Sequence, residues 1–543
     1  MVYFSSGDAP FYFFEQLASI SWLPQVWNNA KDFGENLLPR LWIDYPFRLI
    51  VKLLATFGLG WGMIEKLLWV LALVIGIIGI YQLAKFIVGK SVAYIAVLVY
   101  LTNTYALFLF GGGQLGVALA YGLAPLVLLK FIQSDKNGVR NGLWLALLVI
   151  FDLRLAYLTL GAIFLYQVIL KTFHIRTMCI SILVAAIVHA FWILPVILTG
   201  AGSRALGEDF TNPGMLQFLS FADFSHSLSL LHPNWPDNLF GKVYFLQPEF
   251  LILPLLAFSA LAWIVKSQKS DEKLHIVFFA LLALLGAFFA KGAQPPFGDL
   301  FIWCFQHVPG FVMFRDPTKF YLFIAIGYAI LIPFVLGEIA KYRKKMKWIV
   351  YGVFIIFWSF TIRPLWLGQL TGNFKPQTIP IEYEKLKDML IEDTIFSRTL
   401  WIPSKEKFVY SSDVHPALTS ASLFNNASLS GVMTIASSSS FLTSINEAGI
   451  RYVILPKDIE GTLYMTEYKF DATLRERMIQ TIEQTPLVAL AQYKEIAVFE
   501  NPSFTMMKSY TPDIATKQQK LANIGLMISG VSLIIFCIIL ICF

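Results

Sequence analysis

What most constrains this chain is a row of apolar stretches, about ten between residues 64 and 363 and one more at 521–542, separated by short basic connections. Several exceed the ~18 residues that mark a bilayer-crossing helix. Hydrophobic residues make up 57% of the sequence and charged ones only 14%, which points to a polytopic α-helical membrane protein. In hydrocarbon every backbone polar group must be paired within the protein, so such runs fold as helices. Charged side chains are costly there unless they face a cavity or a partner, and function is therefore sought where they interrupt the apolar background.

Predicted spans lie at 64–86, 91–110, 114–131, 141–152, 155–170, 177–199, 249–266, 274–290, 318–338, 348–363 and 521–542, about eleven spanning or half-spanning helices. The basic connections between them fall on one side: Lys85 and Lys90; Lys130, Lys136 and Arg140; Lys171 and Arg176; Lys266, Lys269 and Lys273; and Lys341, Arg343, Lys344, Lys345 and Lys347. By the positive-inside rule that side is cytoplasmic. The net charge of +7 is then topological and no nucleic-acid footprint.

The expected division is a transmembrane unit at 1–370 with extracytoplasmic loops 1–46, 200–248 and 291–317, an external mixed α/β domain at 371–515, and a C-terminal transmembrane helix at 516–543, placed in the plasma membrane. The stretch at 141–152 is short for ~30 Å of hydrocarbon. With 155–170 it is expected to form a re-entrant pair joined at Asp152, Leu153 and Arg154. No apolar helix precedes the polar segment Ser5 to Asp8, which the charge pattern places outside; a helix encoded upstream is expected, a short tail that crosses alone being the alternative.

Cys179, Cys537 and Cys542 sit in or beside apolar spans and Cys304 stands alone in an external loop, so no disulfide framework is indicated. The sequence contains no CxxC pair, HExxH helix, Walker loop or GxGxxG after a strand. Two external segments read as amphipathic. From Tyr45 to Phe57 a broad apolar surface stands opposite Arg48 and Lys52, the pattern of a helix lying in the interface. The second, Met215 to Leu231, carries Asp223 and His226 and leads to His232. Within the polar block a helix is expected at 381–393 and strands at 398–402, 449–456 and 495–500, with a flexible run at Ser437 to Ser440.

The segment Ser6-Gly7-Asp8 before the interfacial helix, Asn103-Thr104-Tyr105 followed by Gly111-Gly112-Gly113, the sequence from Phe314 to Phe320, and the pair Gly449 to Leu455 with Val498 to Pro502 together resemble the GT-C superfamily of membrane glycosyltransferases, in its arabinofuranosyltransferase-like and YfhO-like branches. The resemblance covers nearly the whole chain, although each motif is short. It implies sugar transfer on the outer face, from a polyprenyl-phosphate sugar in the bilayer to a glycan, glycolipid or protein acceptor. It also implies that Asp8, matching the family's acidic residue in the first external loop, is the general base or orients the acceptor. The plainer reading of Asp8 is a turn residue after Gly7.

The phosphate site follows from physics. Asp316 suits an N-cap and Pro317 the first turn, so the next span starts outside with its free amides outward. Arg315 and Lys319 bracket that N-terminus, where anions are favoured; alternatively they snorkel to lipid headgroups. On this reading both cations hold phosphate and Asp316 is structural. Further substrate-binding candidates are Asp152 and Arg154, which interrupt an apolar hairpin and either line the cavity or pair across a turn, Glu249 at a helix start, where the dipole favours a carboxylate anyway, and the external His226 and His232. His189, within an apolar run, reads as a hydrogen-bonded interior histidine. A divalent cation at Asp8 is compatible with such chemistry, but no ligand cluster calls for one. The rival classes are a lipid-linked sugar transporter or flippase, which would show repeats and broken helices with ionisable groups at the midplane, and a catalytically silent envelope scaffold.

Overall fold

The apolar stretches all fall on helices in the computed structural model, which describes residues 2–133, 137–201, 213–232, 248–265, 270–342, 344–403, 407–426, 428–438, 440–456, 472–492, 495–507 and 510–542. Five helices are long and apolar enough to cross a membrane: Trp61–Ile87, Leu115–Ile132, Asp271–Ala290, Pro317–Tyr342 and Asp513–Ile541. Two further segments are bent pairs, Ala93–Thr102 with Thr104–Gly111 at 48°, and Ile175–Val188 with Ala190–Leu198 at 86°. The helices at 138–151, 153–169, 248–264 and 347–361 are shorter. The chain is an integral membrane protein with five to seven candidate crossings among the described residues; the four shorter helices complete the eleven apolar segments expected as spanning or half-spanning.

The sequence carries no proline or glycine at either bend, and broken helices were not expected. Asn103 makes the first. Its side-chain oxygen accepts from the amides of Tyr105 and Ala106, both at 3.1 Å. Its amide donates to the carbonyls of Val99 (3.0 Å) and Tyr100 (2.7 Å) and to the Tyr121 hydroxyl (3.0 Å). One buried side chain thus satisfies the end of one helix and the start of the next, as an interruption away from water requires. At the second bend His189 is buried with Nε2 3.0 Å from the Ala146 carbonyl, the interior role expected of it.

The apolar stretch of Pro317–Tyr342 is wholly buried at the centre, whereas Asp513–Ile541 is mostly unburied and exposes Ile534 and Ile541, side chains suited to contact with lipid. Between Trp61–Ile87 and Leu115–Ile132 a methyl on Gly122 would meet the Ala72 carbonyl at 2.7 Å, so the absence of side chains lets these helices touch along their backbones.

The interfacial helix spans Leu41–Thr56, one turn earlier than expected, with Leu53 exposed along it and Phe57 exposed just beyond its end. The second amphipathic segment is two short helices, Pro213–Leu219 and Phe224–Leu228, the latter capped by Asp223. Cys304 lies buried in the helix Gly298–His307 and in no loop.

The polar block folds around a five-stranded sheet in the order Ala417–Thr419, Arg398–Trp401, Ile450–Pro456, Ile496–Glu500, Val488–Gln492, parallel across the first three strands and antiparallel beyond. Alternation along the central strand sends Val453 and Leu455 to one core, covered by Leu429–Ala436, Ser440–Glu447 and Ala472–Glu483, and Tyr452 and Ile454 to another with Ile381–Glu392. Phe13 joins that second core, and Tyr3 pairs with Gln377, so the amino-terminal segment lies between the sheet unit and the membrane helices.

Candidate active site

Segments far apart in sequence line one cavity of about 830 Å³: Asp8, Pro10 and Tyr12 from the amino-terminal loop, Arg40, Asp44 and Arg48 from the start and one face of the interfacial helix, residues 113–117, and Arg315 to Lys319 at the head of the central helix. Met215, Phe218, Leu219 and Phe221 form an apolar wall.

Two glycine-bearing loops cross at its edge. Gly7 has φ +56° and a methyl there would sit 2.3 Å from the Gly112 carbonyl; Gly113 has φ +72° and its methyl would sit 2.1 Å from the Ser6 carbonyl. Both positions need glycine for the backbone conformation and for the approach. The Asp8 amide donates to the Gly112 carbonyl at 2.8 Å, leaving the carboxylate exposed to the cavity. Glu65, buried in the first turns of its helix, accepts from the Phe4 amide and the Ser5 hydroxyl, both at 2.8 Å, and anchors the same loop.

Gln114, next after the crossing glycines, reaches both ways. Its Nε2 donates to Asp8 at 3.1 Å and its Oε1 accepts from the Lys319 ammonium at 3.3 Å. Lys319 also donates to Asp316 at 2.8 Å, and Asp316 caps the helix by accepting from the Thr318 amide (3.0 Å) and hydroxyl (2.6 Å). Burial opposes ionisation of Asp316, but Lys319 and the two Thr318 bonds outweigh it and hold the carboxyl well below the usual range. The sequence placed Lys319 at a water-facing helix start; its side chain is 2% exposed, with its ammonium held between Gln114 and Asp316.

Arg154 faces the cavity, and Asp152, fully buried behind it, accepts from its Nη2 at 2.6 Å while capping Leu153–Ile169 through the Arg154 and Leu155 amides. Asp152 therefore positions the guanidinium and does not itself line the cavity. Arg315 lines the same cavity, and its pKa is pushed down by burial and then by the charge of Arg154, against the opposing charge of Asp316. Such a pair of guanidinium groups beside a buried ammonium has the chemistry to attract an anion. His232 lines the cavity as well, its ring stacked on Phe108 at 4.3 Å.

Two expected residues lie elsewhere. His226 is buried on Asp223, 2.8 Å from its carboxylate, and so completes a helix cap. Glu249 pairs with Arg363 at 2.6 Å, joining two helix ends. Gln114, Tyr12, Arg40, Asp44 and Arg48 were not singled out for the site. The spacing of four between Arg40, Asp44 and Arg48 marks one helix face and could have flagged it; Gln114 had only its polarity between apolar runs. Among the described residues no group of three or more His, Cys, Asp or Glu could hold a metal ion.

Neither a family model nor a curated protein matches the sequence. Among solved structures the chain is similar to the arabinofuranosyltransferase AftD from mycobacteria, with a TM-score of 0.61 and 15% identity over 92% of this chain and 38% of that one. A second structure of that protein, a mutant, gives 0.60 and 14% over 92% and 40%. This chain shares the fold of that arabinofuranosyltransferase. It spans about two fifths of the length of the arabinofuranosyltransferase chains it matches. The likeness takes in the sheet unit as well as the membrane helices, since 92% of the chain aligns.

Proposed function

We propose that this protein is a membrane glycosyltransferase that moves a sugar from a polyprenyl-phosphate-linked donor to an acceptor in a cell-envelope glycan, glycolipid or protein, on the extracytoplasmic face. The observation that carries the reading is the juxtaposition of a carboxylate exposed to the cavity, Asp8, with the cations Arg154, Arg315 and Lys319 in the same cavity. The acceptor hydroxyl attacks the anomeric carbon while Asp8 takes its proton, and the bond from that carbon to the phosphate oxygen breaks. The phosphate leaves with the electron pair, and the three cations hold its growing charge. The apolar wall at Met215 and Phe218 gives the lipid chain a path toward the bilayer. The charge pattern of the basic connections supports placing this cavity outside.

The broken helices at Asn103 and His189 are a feature that a carrier of lipid-linked sugar would use. A single experiment separates the readings: the purified protein in liposomes is given a panel of short-chain polyprenyl-phosphate sugars and envelope glycan acceptors. Glycosylated acceptor with free polyprenyl phosphate is expected. Donor crossing the bilayer intact, with no product, would replace the enzyme by a carrier.

A further inference from the structure

The Asp8 loop is held from two sides. The membrane unit grips it through Glu65 and the Gly112 carbonyl. The sheet unit grips it through Lys407, whose ammonium donates to the carbonyls of Gly7 at 2.8 Å and of Ala9. One side chain thus holds the residues on either side of Asp8. Around it the seam is continuous: the Ser6 amide donates to Asn373 at 2.7 Å, Gln16 donates to the Ser411 carbonyl at 3.0 Å, and Phe408 packs against Phe11 edge-on at 4.9 Å.

Aromatic packing alone would join the two units, and an ammonium is a costly way to do it. Taking the charge out of water is unfavourable unless carbonyls or carboxylates replace the lost solvation. Here burial, only partly offset by Asp8, lowers the ammonium pKa to about 8. A charge kept at that cost beside an exposed carboxylate marks a functional position. We propose that the sheet unit is a working part of the active site and that Lys407 is a positioning residue, setting Asp8 by holding the carbonyls that flank it. What Asp8 then does rests on the transferase reading; that Lys407 holds the loop does not.

The test uses the full chain in nanodiscs, with Lys407→Met and Lys407→Arg compared with the wild type. Hydrogen exchange at the Asp8 and Ala9 amides reports the loop without any activity, and turnover with the donor that the wild type uses reports the chemistry. In Lys407→Met both amides should exchange faster and kcat should fall by roughly 10- to 100-fold, the scale expected of a small misplacement, with KM for donor within about threefold. Lys407→Arg, which keeps the charge and the donors, should recover most of both. If Lys407→Met does not fold, Lys407→Gln takes its place. Unchanged exchange in the Met or Gln variant, or a kcat loss that follows global thermal stability and is not restored by Arg, would overturn the proposal. A wild type that transfers no sugar, with faster exchange in Lys407→Met, would sink the transferase reading and leave the clamp standing.

Discussion

Asp8 and Lys319 are bound to opposite ends of one amide, that of Gln114, at 3.1 Å and 3.3 Å. The residue proposed to take the acceptor's proton and one proposed to hold the leaving phosphate therefore share a support, so their separation is fixed before substrate arrives. Preorganisation of that kind is what transition-state stabilisation needs.

Asp8→Asn keeps the shape and the contact with Gln114 but removes the proton acceptor. Turnover should fall by roughly 100-fold or more while donor binding persists. Gln114→Leu leaves the carboxylate and should lower kcat by less, with little change in donor affinity. Full turnover in Asp8→Asn would eliminate it as the base.

Arg315 and Lys319 differ in what their removal exposes. Arg315→Ala should cost about 2 to 4 kcal/mol of transition-state stabilisation, roughly 30- to 1,000-fold in rate, with folding intact. Lys319 is buried on Asp316, so Lys319→Ala strands a carboxylate and should lower thermal stability as well as rate. Donor-lipid binding measured beside thermal unfolding checks this. A stable Lys319→Ala with normal affinity would place the phosphate elsewhere.

Orientation is checked separately. Reporters fused after Lys136 and Lys345 should be cytoplasmic and one near Ser438 extracytoplasmic. A cytoplasmic Ser438 would remove the proposed side of reaction.

The membrane class, the interfacial helix and the capped start of the central helix were legible because each rests on a local pattern: apolar length, helical spacing, and Asp316 followed by Pro317. Three of the sheet's strands were legible for the same reason. Ala417–Thr419 was not, being three residues long, nor was Val488–Gln492, an edge strand whose Val488 and Leu490 are exposed. The bend at Asn103 was hidden because it depends on Tyr121, a partner on another helix. At the site, Arg315 and Lys319 were found from the helix start they flank, and Asp8 from a family resemblance. Their link through Gln114, and the departure of Glu249 to Arg363, are tertiary facts with no local signature.

The loop crossing can be tested with an internal control. Gly58 has φ +81° with nothing within 4 Å of an added methyl, so Gly58→Ala carries conformational strain alone, about 1 to 2 kcal/mol. Gly7→Ala and Gly113→Ala add an overlap with backbone atoms of the other loop that neither can relieve by a rotamer change. Activity should survive in the first and be lost in the other two. Equal activity in all three would mean that the crossing does not set Asp8.

Lys407 gives a pH dependence of known sign. Asp8 is the ionisable group whose charge acts on it among the described residues, and burial lowers its pKa from 10.5 to about 8. Between those values the unfolded chain binds the proton more tightly than the folded one, so this group's contribution to stability rises with pH across that window. Its contribution to positioning runs the other way, because a neutral amine donates weaker bonds to the Gly7 and Ala9 carbonyls than an ammonium does. Transfer should therefore decline by several-fold as pH rises through about 8, while thermal stability holds or improves. In Lys407→Arg the guanidinium stays charged over the whole range, and the alkaline decline should move above about pH 9. Rate against pH for the two proteins, with melting temperatures on the same samples, decides it: an unmoved alkaline limb in the Arg variant would assign the decline to another group.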